Sequence, residues 1–158
     1  MQLKFMIGIR TMEKYVALIA RIFLSSLYFI SIILVLLFII GAQQGYDIYQ
    51  GSLMSKGLPG IFAPISILVQ LGFGIFLIVG YKIKLTSYIF AIYSIIWAIT
   101  YYRMMGTIPP DVSPAIYQDL ILKVLQYLSL SGGFLYMAAN HKMLLSVDNF
   151  LEKRLQRK

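Results

Sequence analysis

Few side chains in this sequence can do chemistry, and most of them lie inside long apolar runs. Arg21, Gln70, Asp119, Lys123 and Gln126 are the candidates for contacting a ligand or pairing helices. Asp119 and Lys123 are spaced i,i+4, which on a helix brings a carboxylate and an ammonium within pairing distance on one face. Continuing that face reaches Gln126 and Gly133, a polar stripe that reads as an adhesive between helices ahead of a proton path. Gln70 stands mid-run, where an unbonded amide is costly, so it requires a partner, and Arg21 or Gln126 would serve. Arg21 lies roughly 9 Å into its run by helical rise. It either snorkels back to headgroups or faces the interior.

The same inventory closes off other chemistries. With no cysteine there is no disulfide, thiol nucleophile or iron–sulfur ligation. His141, beside Asn140 and Lys142, is the only histidine, and one histidine does not build a metal site, so no metal ligands and no catalytic residues are assigned. His141 reads as an interfacial residue.

The elements that must hold these residues are four apolar runs, about 15–41, 61–81, 85–102 and 120–139, in a chain of 158 residues that is 59% hydrophobic with a mean hydropathy of +0.80. Each run is long enough to cross a ~30 Å hydrocarbon core as a helix, which takes roughly 20 residues. None shows the period-two alternation of a barrel strand, and lipid tolerates only helices or closed barrels. The fold class is therefore an all-α four-span integral membrane bundle, one domain over 1–158. The first run is too long for the ~7–15-residue core of a secretory signal and reads as a retained span.

Alternating spans collect Lys4, Arg10, Lys14, Lys82, Lys84, Lys142, Lys153, Arg154, Arg157 and Lys158 on one side and leave Lys56 and Arg103 on the other. The positive-inside rule puts the first side, with both termini, in the cytoplasm. That topology accounts for the net charge of +8, which carries no nucleic-acid recognition motif, so nucleic acid is not an expected partner. In the tail, 140–158, Leu144, Val147, Leu151 and Leu155 share one helical face, the pattern of an amphipathic helix lying on the cytoplasmic interface. Of the two loops on the other side, 42–60 is rich in Gly and polar residues and reads as non-helical or briefly helical, and the prolines of 104–114 stop the third span. Gly72 and Gly74 in span two, Ala91, Ser94 and Ala98 in span three, and Gly132 and Gly133 in span four are small enough to let helix backbones approach. Trp97, Tyr101 and Tyr102 lie towards the outer end of span three, where the tyrosines suit an aromatic belt.

Taken in order, ARIFLSSLYF in span one, KGLPG before span two, QLGFGIFLIVGYKIKLTSY across spans two and three and LKVLQYLSLSGGFLY in span four resemble the DoxX family, over roughly Val16 to Ala139. The resemblance implies a small four-helix protein of the bacterial inner membrane. Arg21 matches the family's early arginine, Gly57 to Pro59 its Gly-Leu-Pro, and Gly132 and Gly133 its paired glycines. Where many relatives carry a glutamate in span two, this chain has Gln70, which removes a titratable group and weighs against proton coupling there. The family takes its name from a subunit of a thiosulfate:quinone oxidoreductase. The resemblance thus implies a membrane subunit or anchor of a quinone-linked or oxidative-stress system, with no cofactor of its own, a quinone as the candidate ligand, and a soluble oxidoreductase or a second copy as the candidate partner. The alternative is a structural scaffold without ligand or catalysis. Transport is the weakest reading, for lack of an inverted repeat or broken helix.

Overall fold

The computed structural model describes residues 2–109 and 113–140. His141 and the proposed amphipathic tail lie outside the described residues, as do Asp111 and its neighbours. Helix α1 (Gln2–Gly41) is followed by the short α2 (Gly45–Ser55). Next come α3 (Phe62–Leu68), a π-helical turn (Val69–Phe73) and α4 (Gly74–Val79), which run on as one rod. Then follow α5 (Ile83–Met105) and α6 (Pro114–Ala139). Four stretches, Leu18–Gly41, Phe62–Val79, Ile83–Met105 and Pro114–Ala139, are long and apolar enough to cross a membrane, and no strand occurs among the described residues.

Several boundaries differ from the sequence reading. The loop 42–60 holds an 11-residue helix, with Leu53 buried against the bundle and Gln50 Nε2 donating to the Gly60 carbonyl at 3.2 Å. A loop rich in glycine folds this way because Gly45 sits against α1: a Cβ there would meet the Ile39 backbone at 2.7 Å, so only hydrogen fits. Span four begins at Pro114, six residues before the apolar run does. Ser113 caps it, its hydroxyl accepting from Ala115 N at 3.4 Å, and proline fits at the first helical position because the N–H it lacks would have no helical acceptor. Met105 ends span three, three residues past the estimate.

The core forms where α1, α5 and α6 meet. Along α1, Arg21, Ser25, Tyr28 and Ile32 recur at helical spacing and all are buried. Phe90 and Phe134, fully buried, stack at 5.2 Å, and Tyr28 lies 5.1 Å from Phe90 and 5.9 Å from Phe134. Between α5 and α6, Tyr101 faces Lys123, Trp97 faces Tyr127 and Phe90 faces Phe134, the stepwise opposite progression of an antiparallel helix pair. Ala91, Ser94 and Ala98 are buried, which lets the helices of this core approach closely. Of the four glycines singled out for packing, Gly74 faces Phe29 at 3.6 Å and Gly133 faces Leu24 at 3.1 Å, measured from a Cβ built on each, while Gly72 and Gly132 face open space. Gly133→Ala is expected to cost under about 1 kcal/mol, since the end of a flexible leucine must yield. Melting in detergent checks this, and Leu24→Ala in the same chain should remove the clash.

Candidate functional site

Buried polar groups are spread over α1, the rod, α5 and α6, and those most linked to one another centre on the rod that carries the π turn. A π turn inserts one residue into the helix, so the side chains on either side of it fall out of α-helical phase. Gln70, inside the turn and 6% exposed, donates from Nε2 to Ser66 Oγ at 3.0 Å and to the Tyr93 hydroxyl of α5 at 2.6 Å. Ser66 also accepts from the Tyr49 hydroxyl of α2 at 3.2 Å and bonds the Tyr93 hydroxyl. A hydroxyl oxygen has two lone pairs. Gln70 and Tyr49 occupy those of Ser66. The Tyr93 hydroxyl is in turn shared among Ser66, Gln70 and Trp97. Gln70 Oε1 is buried and has no hydrogen-bond partner among the described residues. One unspent acceptor thus sits in the bundle interior. Burial raises the Tyr49 hydroxyl above the usual phenol range, so it stays protonated at physiological pH.

Gln70 therefore finds its partners in Ser66 and Tyr93, not in Arg21 or Gln126. Ser66 lies one turn before Gln70, and that i,i+4 spacing was a signal available in the sequence. Gln126 is exposed, and Asp119 and Lys123, 2.6 Å apart, keep 58% and 40% of their side-chain surfaces. The inward face of α6 is Leu120, Ser131, Phe134 and Ala138, about one residue around the helix from the stripe of Asp119, Lys123, Gln126 and Gly133. Apolar packing fixed the rotation, because Phe134 packs against Tyr28 of α1 and Phe90 of α5 while Tyr127 stacks on Trp97 of α5. Arg21, 4% exposed, faces the interior instead of snorkelling.

A second buried bond joins Tyr28 to α5. Ser94 donates to the Phe90 carbonyl at 2.6 Å, so Tyr28 supplies the proton of its 2.7 Å bond to Ser94. Arg21 and Ser87 each lie seven residues, two turns, before these partners, on helices that alternation of the spans makes parallel, which places both buried residues at one depth.

Around the network runs a band of rings. Phe62 stacks on Tyr93 at 5.9 Å with their planes 2° apart. Trp97, Tyr101 and Tyr127 stack mutually at 5.6 to 6.0 Å. Tyr101 and Trp97 are thus packed inside the bundle end, and only Tyr102, 68% exposed, keeps a position suited to a lipid-facing belt. Among the described residues no three His, Cys, Asp or Glu side chains come together as a metal site would need.

Four membrane-length helices around a hydrogen-bonded polar interior define a multi-pass helical membrane protein. The DoxX family profile matches residues 16–103, more than half the sequence. The chain belongs to the DoxX family. No curated protein and no solved structure matches it.

Proposed function

We propose that this DoxX protein is a membrane subunit or anchor of a redox system, holding a quinone or a similar lipid-like molecule between its helices and docking a soluble oxidoreductase on the cytoplasmic side of a bacterial inner membrane. The observation that carries the reading is the Gln70 cluster at the π turn. Its unpartnered Gln70 Oε1 suits the hydroxyl of a reduced quinone ring. Phe62 and Tyr93, stacked on one another beside it, make the neighbouring wall aromatic, the kind of surface that a planar ring packs against. None of these groups exchanges electrons, so the redox step belongs to the partner, and the bundle's part is to bind and orient. The basic cytoplasmic side, with both termini, is where an acidic partner would dock.

The test is extraction of the protein, purified in mild detergent, with mass spectrometry of bound quinone and of co-purifying proteins. Wild type is expected to retain quinone near one per chain, and Gln70→Leu to lose most of it. Absence of both quinone and a redox partner leaves the scaffold, in which the same hydrogen bonds hold the helices and nothing more. Gln70→Leu is also expected to lower stability by about 1 kcal/mol, the scale of interhelical hydrogen bonds in membranes. Unchanged unfolding in detergent would mean that its bonds to Ser66 and Tyr93 contribute nothing.

A further inference from the structure

At the end of the bundle that carries α2, two ammonium groups hang over one aromatic stack. Lys56 Nζ stands 5.4 Å from the centroid of the Trp97 ring and Lys123 Nζ 5.5 Å from that of Tyr101, and those two rings stack at 5.7 Å with Tyr127 parallel to both. Ring faces attract cations, which fixes where the two charges sit. Their balance is unequal. Asp119 holds Lys123 at 2.6 Å, whereas Lys56 forms no salt bridge with a carboxylate among the described residues. Lys56 is half-buried. Burial, and then the charge of Lys123, push its ammonium below the usual lysine range. That penalty is present at neutral pH and eases as pH rises through the lowered value, so it marks a site short of one negative charge.

We propose that Lys56 and Lys123 bind an oxyanion of the phosphate class above the Trp97–Tyr101–Tyr127 stack, supplied by the headgroup of an anionic phospholipid. Depth selects the lipid over free phosphate. Tyr101 lies one turn before the end of α5, about 6 Å inside it by helical rise. The headgroup zone on each side of a bilayer is of order 5–8 Å thick. Tyr102 and Met54, both exposed on the helices that carry the stack and Lys56, give acyl chains an apolar surface. Asp119 competes with the incoming anion for Lys123, so it tunes affinity downward.

Trp97 is the only tryptophan, and its emission therefore reports occupancy without a label. The full-length protein in uncharged detergent is titrated with phosphatidylglycerol, with phosphatidylcholine and with inorganic phosphate. A saturable change in Trp97 emission is expected with phosphatidylglycerol alone. Lys56→Gln and Lys123→Gln should each weaken it about tenfold, Lys56→Arg should keep it, and Asp119→Asn should tighten it about threefold. A purely structural Asp119–Lys123 pair would not produce that opposite sign. Equal responses to both lipids, or an unchanged affinity in Lys56→Gln, would overturn the site. Saturation by inorganic phosphate at the same concentrations would keep the oxyanion site and overturn the lipid as its source. Should the lysine variants fail to fold, Asp119→Asn decides alone: no tightening refutes the proposal.

Discussion

Phe90→Ala is expected to destabilise the bundle by about 2–3 kcal/mol, the largest effect of any single truncation considered. Phe90 is fully buried and touches both other core helices through Tyr28 and Phe134. In a water-soluble protein this change costs about 3–5 kcal/mol, part of which is the transfer of the ring out of water. Within a membrane that part is missing, since lipid tails are as apolar as the core. What remains is the void, roughly 100 Å³ at about 24 cal/mol per Å³. Equilibrium unfolding in mixed micelles of increasing SDS content measures it. Phe90→Leu should cost about half as much, and an Ala variant indistinguishable from wild type would show that the three helices do not meet at this ring.

Ser66→Ala is expected to cost about 1–3 kcal/mol. The hydroxyl joins Gln70, Tyr49 and Tyr93, and removing it takes a hydrogen bond from each, leaving Gln70 and Tyr93 with the bond between them. Because the members act together, Ser66→Ala combined with Gln70→Leu should cost clearly less than the two single changes added. Additive costs in the same unfolding assay would mean that these bonds are independent. Loss of bound quinone in Ser66→Ala with an unaltered fold would strengthen the functional reading.

The spans were legible from the sequence because lipid imposes a length and a composition that a chain cannot disguise. The site was legible only in fragments. Gln70 stood out as a polar group that had to be answered, yet its partners are hydroxyls, and tyrosine and serine are common enough in such helices that neither Ser66 nor Tyr93 announces itself. The π turn has no sequence mark beyond Gly72 and Gly74, so the rotation that sets Gln70 against α5 was out of reach. On α6 the charged pair drew attention away from the buried face of Leu120, Ser131, Phe134 and Ala138. Charge dominates a helical wheel, whereas the rotation of this helix follows its rings. Lys56 was legible only as a loop residue, because nothing in the segment showed that α2 would fold back and carry it over Trp97.

The family match ends at Arg103, before α6 begins, while the most extensive helix contact in the bundle is the one between α5 and α6. During synthesis the first three spans must therefore wait in the bilayer with half of their principal contact surface still untranslated. A ribosome that stalled shortly after Arg103 would leave Phe90 without Phe134 and Trp97 without Tyr127, an intermediate for quality-control proteases to recognise. Completion of the final span is the event that closes the molecule.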